Sequence, residues 1–179
     1  MLGRCNVYLI GPMGSGKTAV GRRLAALLGK QFLDSDAEIE KRTGVDVRYI
    51  FEKEGEARFR QRERDVIAEL TTLEGVVLAT GGGVILDPAN RERLAETGVV
   101  VYLETTLDTL VRRTKASRTR PLLLNDDPRI VLERLMVVRR PLYEESADLR
   151  IDTTGRQVRA VAVDIQQRLA QRVAKPSSP

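Results

Sequence analysis

Apolar residues fall along this chain in two rhythms. Short unbroken runs, Val7 to Ile10, Gly75 to Thr80 and Val99 to Leu103, alternate with stretches where apolar positions return every three or four residues. An unbroken run is what a strand buried on both faces of a parallel sheet requires, and the three-to-four spacing marks one apolar face of a helix. Two shorter segments, Gln31 to Asp36 and Leu149 to Asp152, complete five predicted strands. Helices are expected over Ala19 to Leu28, stopped at Gly29; Ala37 to Arg42, broken at Gly44; Val45 to Glu52; and Ala57 to Leu73, with Phe59, Val66, Ile67, Leu70 and Leu73 facing the core. Asp87-Pro88 opens another that runs to Glu96. Leu107 to Arg113, Ile130 to Tyr143 with a kink or break at Pro141, and an amphipathic Val158 to Val173 follow. Strands alternating with helices predict an α/β fold: a five-stranded parallel sheet with helices on both faces, a single domain over 1–179 without repeat or linker.

The segments between these elements carry the chemistry. Gly11-Pro12-Met13-Gly14-Ser15-Gly16-Lys17-Thr18 lies between the first strand and the first helix, the context a phosphate-binding loop needs. Its glycines permit a nest of inward N–H groups, Lys17 supplies positive charge, Thr18 offers a hydroxyl to Mg²⁺, and the helix start adds its partial positive charge. Asp34 and Asp36 close the second strand at the sheet edge where open α/β sheets bind ligands, although Asp36 can equally cap the next helix. Gly81-Gly82-Gly83 follows the third strand directly, permitting positive φ and close backbone approach. Arg60, Glu63 and Arg64 share one helix face at spacings of three and four, so an ion-paired solvated face is their simplest reading. From Lys115 to Pro128 no periodicity survives, and a loop of that length is a lid or disordered. A frayed tail is expected over Lys175 to Pro179.

Composition removes several function classes. The 179 residues include no histidine and one cysteine, so histidine bases, Cys-based zinc sites and intrachain disulfides are excluded, and Cys5 reads as a small buried hydrophobe. General-base work falls to a carboxylate or a lysine. No run is long enough to span a membrane and no signal-peptide core precedes the first strand, so a cytoplasmic protein is expected. Nine Lys or Arg against three acids between Leu110 and Arg140 exceed the net charge of +5, leaving the rest of the chain at −1. That cluster can neutralise a bound nucleoside triphosphate or meet nucleic acid. Four Tyr, three Phe and no Trp leave few residues to stack bases, which weakens the second option.

Phosphoryl transfer needs metal ligands, cationic clamps and a group to orient the acceptor hydroxyl. Thr18, with Asp34 through water, can hold Mg²⁺; Lys17 and Arg120 can bridge the transferring phosphate; Asp36 can take the proton; Arg60 and Arg139 suit an acceptor carboxylate. In order along the chain, Gly11 to Thr18, Asp34-x-Asp36, Phe59-Arg60-x-x-Glu63, Gly81 to Gly83, Arg120-Pro121-Leu122-Leu123 and Arg139-x-Pro141-Leu142-Tyr143 resemble the shikimate kinase family. The resemblance implies a three-layer P-loop kinase fold with a mobile lid over about 115–128 and an acceptor-binding region over about 34–64. It implies ATP and Mg²⁺ as cofactors, shikimate as substrate, and phosphorylation of its 3-hydroxyl in aromatic amino-acid biosynthesis.

On the same resemblance Lys17, Asp36 and Arg120 are catalytic, and Asp36, Arg60, Glu63, Gly81, Gly82, Gly83 and Arg139 bind the acceptor, Glu63 by orienting the arginines. Gly14, Ser15, Gly16, Lys17, Thr18, Ala19, Arg113, Arg120, Arg156 and Gln157 bind the nucleotide, Arg113 by stacking on adenine. Thr18 and Asp34 hold the metal. A monomer binding neither nucleic acid nor membrane is expected. Two features qualify the match: Ala19 stands where the family often has a second hydroxyl residue, and the third strand ends in Thr80-Gly81 without an acid, itself typical of the family. A gluconate-type kinase and a nucleotide-binding regulatory module are the competing readings; nucleoside monophosphate kinases share the fold but need a base pocket not evident here.

Overall fold

The computed structural model describes residues 5–115 and 127–174. Strands β1 (Asn6–Ile10), β2 (Gln31–Asp34), β3 (Val76–Ala79), β4 (Gly98–Glu104) and β5 (Leu149–Asp152) form one sheet in the order β2-β3-β1-β4-β5, with every pairing parallel. Helices α1 (Lys17–Leu28) and α8 (Val158–Ala174) cover one face. The other face is covered by α2 (Ser35–Thr43), α3 (Val47–Glu54), α4 (Glu56–Leu70), α5 (Pro88–Thr97), α6 (Leu107–Lys115) and α7 (Pro128–Ser146). Alternation along β1 divides the core: Val7 and Leu9 pack with Val20, Leu24, Val161 and Ile165, while Tyr8 and Ile10 pack with Ile67, Leu94, Leu132 and Tyr143. The predicted five-stranded parallel sheet with helices on both faces is the observed architecture.

Several boundaries differ from expectation, each for a local reason. The second strand stops at Asp34, whose Oδ1 accepts from the Asp36 and Ala37 amides and so caps α2; Asp36 therefore lies in the first helical turn rather than at a strand end. Asp46 caps α3 through the Tyr49 amide, moving that helix start to Val47. Helix α4 ends at Leu70, and Leu73, expected in the core, is exposed. Cys5 sits just outside β1 and is only half-buried. Pro141 does not end α7, which continues to Ser146: one missing N–H is tolerated in a 19-residue helix whose Leu132, Met136, Arg139 and Tyr143 are buried. Of the lid expected over about 115–128, residues 116–126, Arg120 among them, lie outside the described residues, as does the tail 175–179, while Lys115 ends α6 and Pro128 begins α7.

Candidate active site

The order of the sheet reverses at β1, and the loop leaving its carboxyl end opens onto a cavity of about 520 Å³. Gly14 and Gly16 both sit at positive φ, 82° and 95°, which lets the loop turn back on itself and deliver α1 with its N-terminus facing the cavity. A Cβ on Gly14 would also press to 3.1 Å from the Thr114 methyl group. Lys17 is buried, with Nζ donating to the Gly11 and Pro12 carbonyls at 2.7 and 2.9 Å. Thr18 Oγ1 donates to Asp34 Oδ2 at 2.8 Å, so the cap of α2 and the start of α1 meet at one hydroxyl–carboxylate pair. Ser15 Oγ is buried without a partner among the described residues.

Opposite this loop stands a pole built from four elements. Arg60 on α4 donates from Nη1 to Glu63 Oε2 at 2.7 Å and from Nε and Nη2 to Glu56 Oε1 at 3.3 and 3.2 Å. The Arg60–Glu63 ion pair forms as its spacing suggests, but Glu63 is only 1 % exposed and turns inward instead of lying on a solvated face, while Arg64 stays exposed and reaches to Asp87 at 2.6 Å. Arg139 on α7, 4 % exposed, lines the same cavity. Asp36 is partly buried, and its Oδ1, like Glu63 Oε1, is shielded and has no hydrogen-bond partner among the described residues. Burial, reinforced by the like charges of Glu63 and Asp34, pushes the Asp36 carboxyl up to about 7, although Lys17 and Arg60 pull the other way. Burial also raises the Glu63 carboxyl, against the pull of Arg60 and Arg139.

The glycine run packs between these groups. None of Gly81, Gly82 and Gly83 has positive φ, so the expected conformational reason for them is wrong. Space is the reason: a Cβ on Gly81 would stand 2.6 Å from Glu63 Oε1 and 2.8 Å from Asp36 Oδ1, and one on Gly83 would stand 2.5 Å from Arg60 Cζ. The Gly81 amide is anchored on Ser35 Oγ at 2.9 Å, and Tyr143 donates its hydroxyl to the Gly82 carbonyl. Ser35 was not singled out by pattern, and Tyr143 entered only as the end of the Arg139-x-Pro141-Leu142-Tyr143 stretch without a role, since each needs a partner far away in sequence. Phe51 and Phe59, with ring centroids 4.7 Å apart, supply an apolar wall that spacing alone did not reveal; the break at Gly55 brings them together.

On the nucleotide side, Arg113 of α6 donates to the Gly14 carbonyl at 3.1 Å and to the Thr153 carbonyl at 3.5 Å, which lays it along the loop. Ala19 lines the cavity mouth. Arg156 turns to Asp164 at 2.9 Å and to the Asp152 carbonyl, and Gln157 is exposed; neither lines the cavity. The residues fit a magnesium nucleotide. Among the described residues no three acids or thiols gather into an all-protein cage, as expected for Mg²⁺, which takes one or two protein ligands plus phosphate oxygens and water. Thr18 Oγ1 and Asp34 Oδ2, 2.8 Å apart in the cavity wall, are the oxygen groups that could hold it.

A family model described as shikimate kinase matches residues 13–170. The chain is 52% identical over 166 residues to a shikimate kinase of Pseudoalteromonas atlantica, covering 93% of this chain and 97% of that protein. Among solved structures it is similar to shikimate kinase from Acinetobacter baumannii in complex with shikimate, with a TM-score of 0.94 and 48% identity over 96% of each chain. A gluconokinase from Sinorhizobium meliloti, 16% identical with a TM-score of 0.58 over 96% of this chain and 97% of that one, shares the fold alone.

Proposed function

The chain belongs to the shikimate kinase family, and we propose here how its residues divide the work of the reaction it catalyses, transfer of the γ-phosphoryl group of ATP to the 3-hydroxyl of shikimate. ATP and Mg²⁺ are its cofactors, and ADP and shikimate 3-phosphate its products. The observation that carries the assignment of roles is one cavity with a cationic phosphate loop on one side and Arg60, Arg139 and the Asp36 carboxyl, raised by burial to about 7, on the other. A phosphate loop alone binds nucleotide; the second pole supplies the acceptor.

Arg60 and Arg139 hold the shikimate carboxylate through charge-assisted bonds, and Phe51 and Phe59 pack beside its ring carbons. Glu63 is the fixed strut: nearly inaccessible, it holds Arg60 by Nη1. Gly82 and Gly83 bring backbone to the substrate. Asp36 binds the 3-hydroxyl and receives its proton as the oxygen forms its bond to the γ-phosphorus and the bond to the ADP oxygen breaks. A carboxyl held near 7 is matched to that task at neutral pH. Lys17 exchanges its two carbonyl partners for phosphate oxygens, and Thr18 and Asp34 hold the Mg²⁺ that neutralises charge on the phosphates. Gly14 to Thr18, Ala19 and Arg113 receive the triphosphate and adenosine, with Arg156 and Gln157 behind them, and Arg120 closes onto the transferring group.

On this reading the protein acts in the cytoplasm as a single-domain monomer over 1–179, with a lid at about 115–128 and without nucleic-acid or membrane partners. A coupled ADP-release assay offering shikimate, gluconate and AMP in parallel tests the reaction. Shikimate-dependent turnover is expected, and turnover of gluconate instead would overturn it. Arg60→Ala should raise KM for shikimate; an unchanged KM removes Arg60 from the acceptor pole.

A further inference from the structure

Tyr143 is the largest buried group near the acceptor pole that the reaction itself does not use. It is fully inaccessible, stacks on Tyr102 with centroids 5.1 Å apart and an interplanar angle of 20°, and donates its hydroxyl to the Gly82 carbonyl. Arg139 lies one helical turn earlier on the same face of α7, and a Cβ on Gly82 would stand 3.7 Å from its Nη1. One turn of helix therefore touches the glycine run twice, once with a fixed hydroxyl and once with a cation that faces the cavity.

The peptide geometry gives that contact a consequence. In a trans peptide the carbonyl of Gly82 and the N–H of Gly83 point in opposite directions, so gripping one aims the other. Among the described residues the Gly81 amide is engaged by Ser35, whereas the amides of Gly82 and Gly83 donate no hydrogen bond. A backbone donor without a partner, beside Arg60 and in a cavity wall, is a donor kept for a ligand. We propose that Tyr143 is a positioning residue for the acceptor: by holding the Gly82 carbonyl it locks the Gly82–Gly83 peptide plane so that the Gly83 N–H faces bound shikimate, in register with Arg139. This rests on the reading that the pole built from Arg60, Arg139 and the glycine run binds shikimate.

Tyr102 provides a matched control. It belongs to the same stacked pair and is equally buried, yet its hydroxyl has no partner among the described residues and lies on β4 rather than against the glycine run. Deleting each hydroxyl in turn therefore removes the same atom from the same kind of site, once with the contacts to Gly82 and to the Arg139 side chain and once without them; the Gly83 amide exchange described below separates the peptide contact from Arg139.

The test compares Tyr143→Phe and Tyr102→Phe in the full-length enzyme, with steady-state kinetics varied separately in shikimate and in ATP. Tyr143→Phe should raise KM for shikimate roughly tenfold, the loss of one aligned hydrogen bond, while KM for ATP stays within twofold of wild type. Tyr102→Phe should leave both unchanged. Equal effects of the two variants, or a Tyr143→Phe effect shared by both substrates, would assign Tyr143 to packing and overturn the proposal. Should Tyr143→Phe not fold, amide hydrogen exchange of the wild-type enzyme decides: Gly83 exchange must slow when shikimate is added without nucleotide, and an unchanged Gly83 amide overturns the proposal. Wild-type enzyme that does not turn over shikimate would instead sink the functional reading on which it rests.

Discussion

Gly83→Ala separates the reason for the glycine run from its effect on the fold. Its backbone, φ −100° and ψ 3°, is open to alanine, and the added Cβ meets no backbone atom among its nearest neighbours. The collision is with the Arg60 guanidinium, whose Cζ would lie 2.5 Å away, against the roughly 3.5–4.0 Å of ordinary carbon contact. Arg60 must retreat by about 1 Å or more, and its inner partner cannot follow, because Glu63 is 1 % exposed and bonded to Nη1 at 2.7 Å. A misplacement of that size in a binding clamp costs on the order of 10²-fold. We therefore expect kcat/KM for shikimate to fall by about two orders of magnitude, roughly 3 kcal/mol of transition-state stabilisation, with KM for ATP little changed. Urea denaturation should show a stability change of no more than about 1 kcal/mol. Gly82→Ala, whose Cβ would meet the Met13 amide nitrogen at 3.3 Å and Arg139 only at 3.7 Å, should be milder. A Gly83→Ala enzyme within threefold of wild type would refute both the steric account and the placing of Arg60 against shikimate.

Three other outcomes are expected. Asp36→Asn should abolish turnover, and near-normal kcat would remove Asp36 as proton acceptor. The same variant carries a pH signature in metal-free, nucleotide-free protein. The folded Asp36 carboxyl, raised to about 7, keeps a proton that the unfolded chain releases near 4, so wild-type stability falls as pH rises from about 4 to 7 and then levels. Relative to wild type, Asp36→Asn should gain stability across that window, reaching the order of 4 kcal/mol above it, and a difference that does not vary with pH in thermal melts would contradict the raised carboxyl. Lys17→Ala should lose turnover while keeping the far-ultraviolet dichroism of the fold, and retained activity would exclude it from the phosphates. Arg120→Ala should lower kcat by roughly 10³-fold, as removing an arginine finger does; a retained kcat would make it only a cover.

Much of the fold was legible because its signals are local. Unbroken apolar runs gave β1, β3 and β4, Asp87-Pro88 announced α5, and Gly29 ended α1, each decided within a few residues. The phosphate loop was legible for the same reason. What failed depended on partners distant in the chain. Glu63 looked like a surface acid because its spacing to Arg60 is common on exposed helices; only the packing of α4 beneath the glycine run buries it. Pro141 left a kink or a break open because its own residue type forbids one hydrogen bond, and only the buried face of α7 shows that the helix is not broken there. Arg156 and Gln157 rest on resemblance alone, with Arg156 bonded to Asp164 and neither residue lining the described cavity.

By itself, then, the sequence determined the order of strands and helices, the phosphate loop, and which residue types were available for transfer once histidine was absent. Tertiary structure alone decided which carboxylate caps α2 and which keeps a shielded oxygen in the cavity wall. Asp34 takes the α2 amides and the Thr18 hydroxyl, while Asp36, two residues on, is left with a shielded oxygen beside Glu63 and a raised carboxyl. The physical reason is range. Backbone hydrogen bonding and hydrophobic periodicity act between near neighbours, whereas desolvation and the field of surrounding charges exist only after strands and helices far apart in the chain have closed around the same cavity.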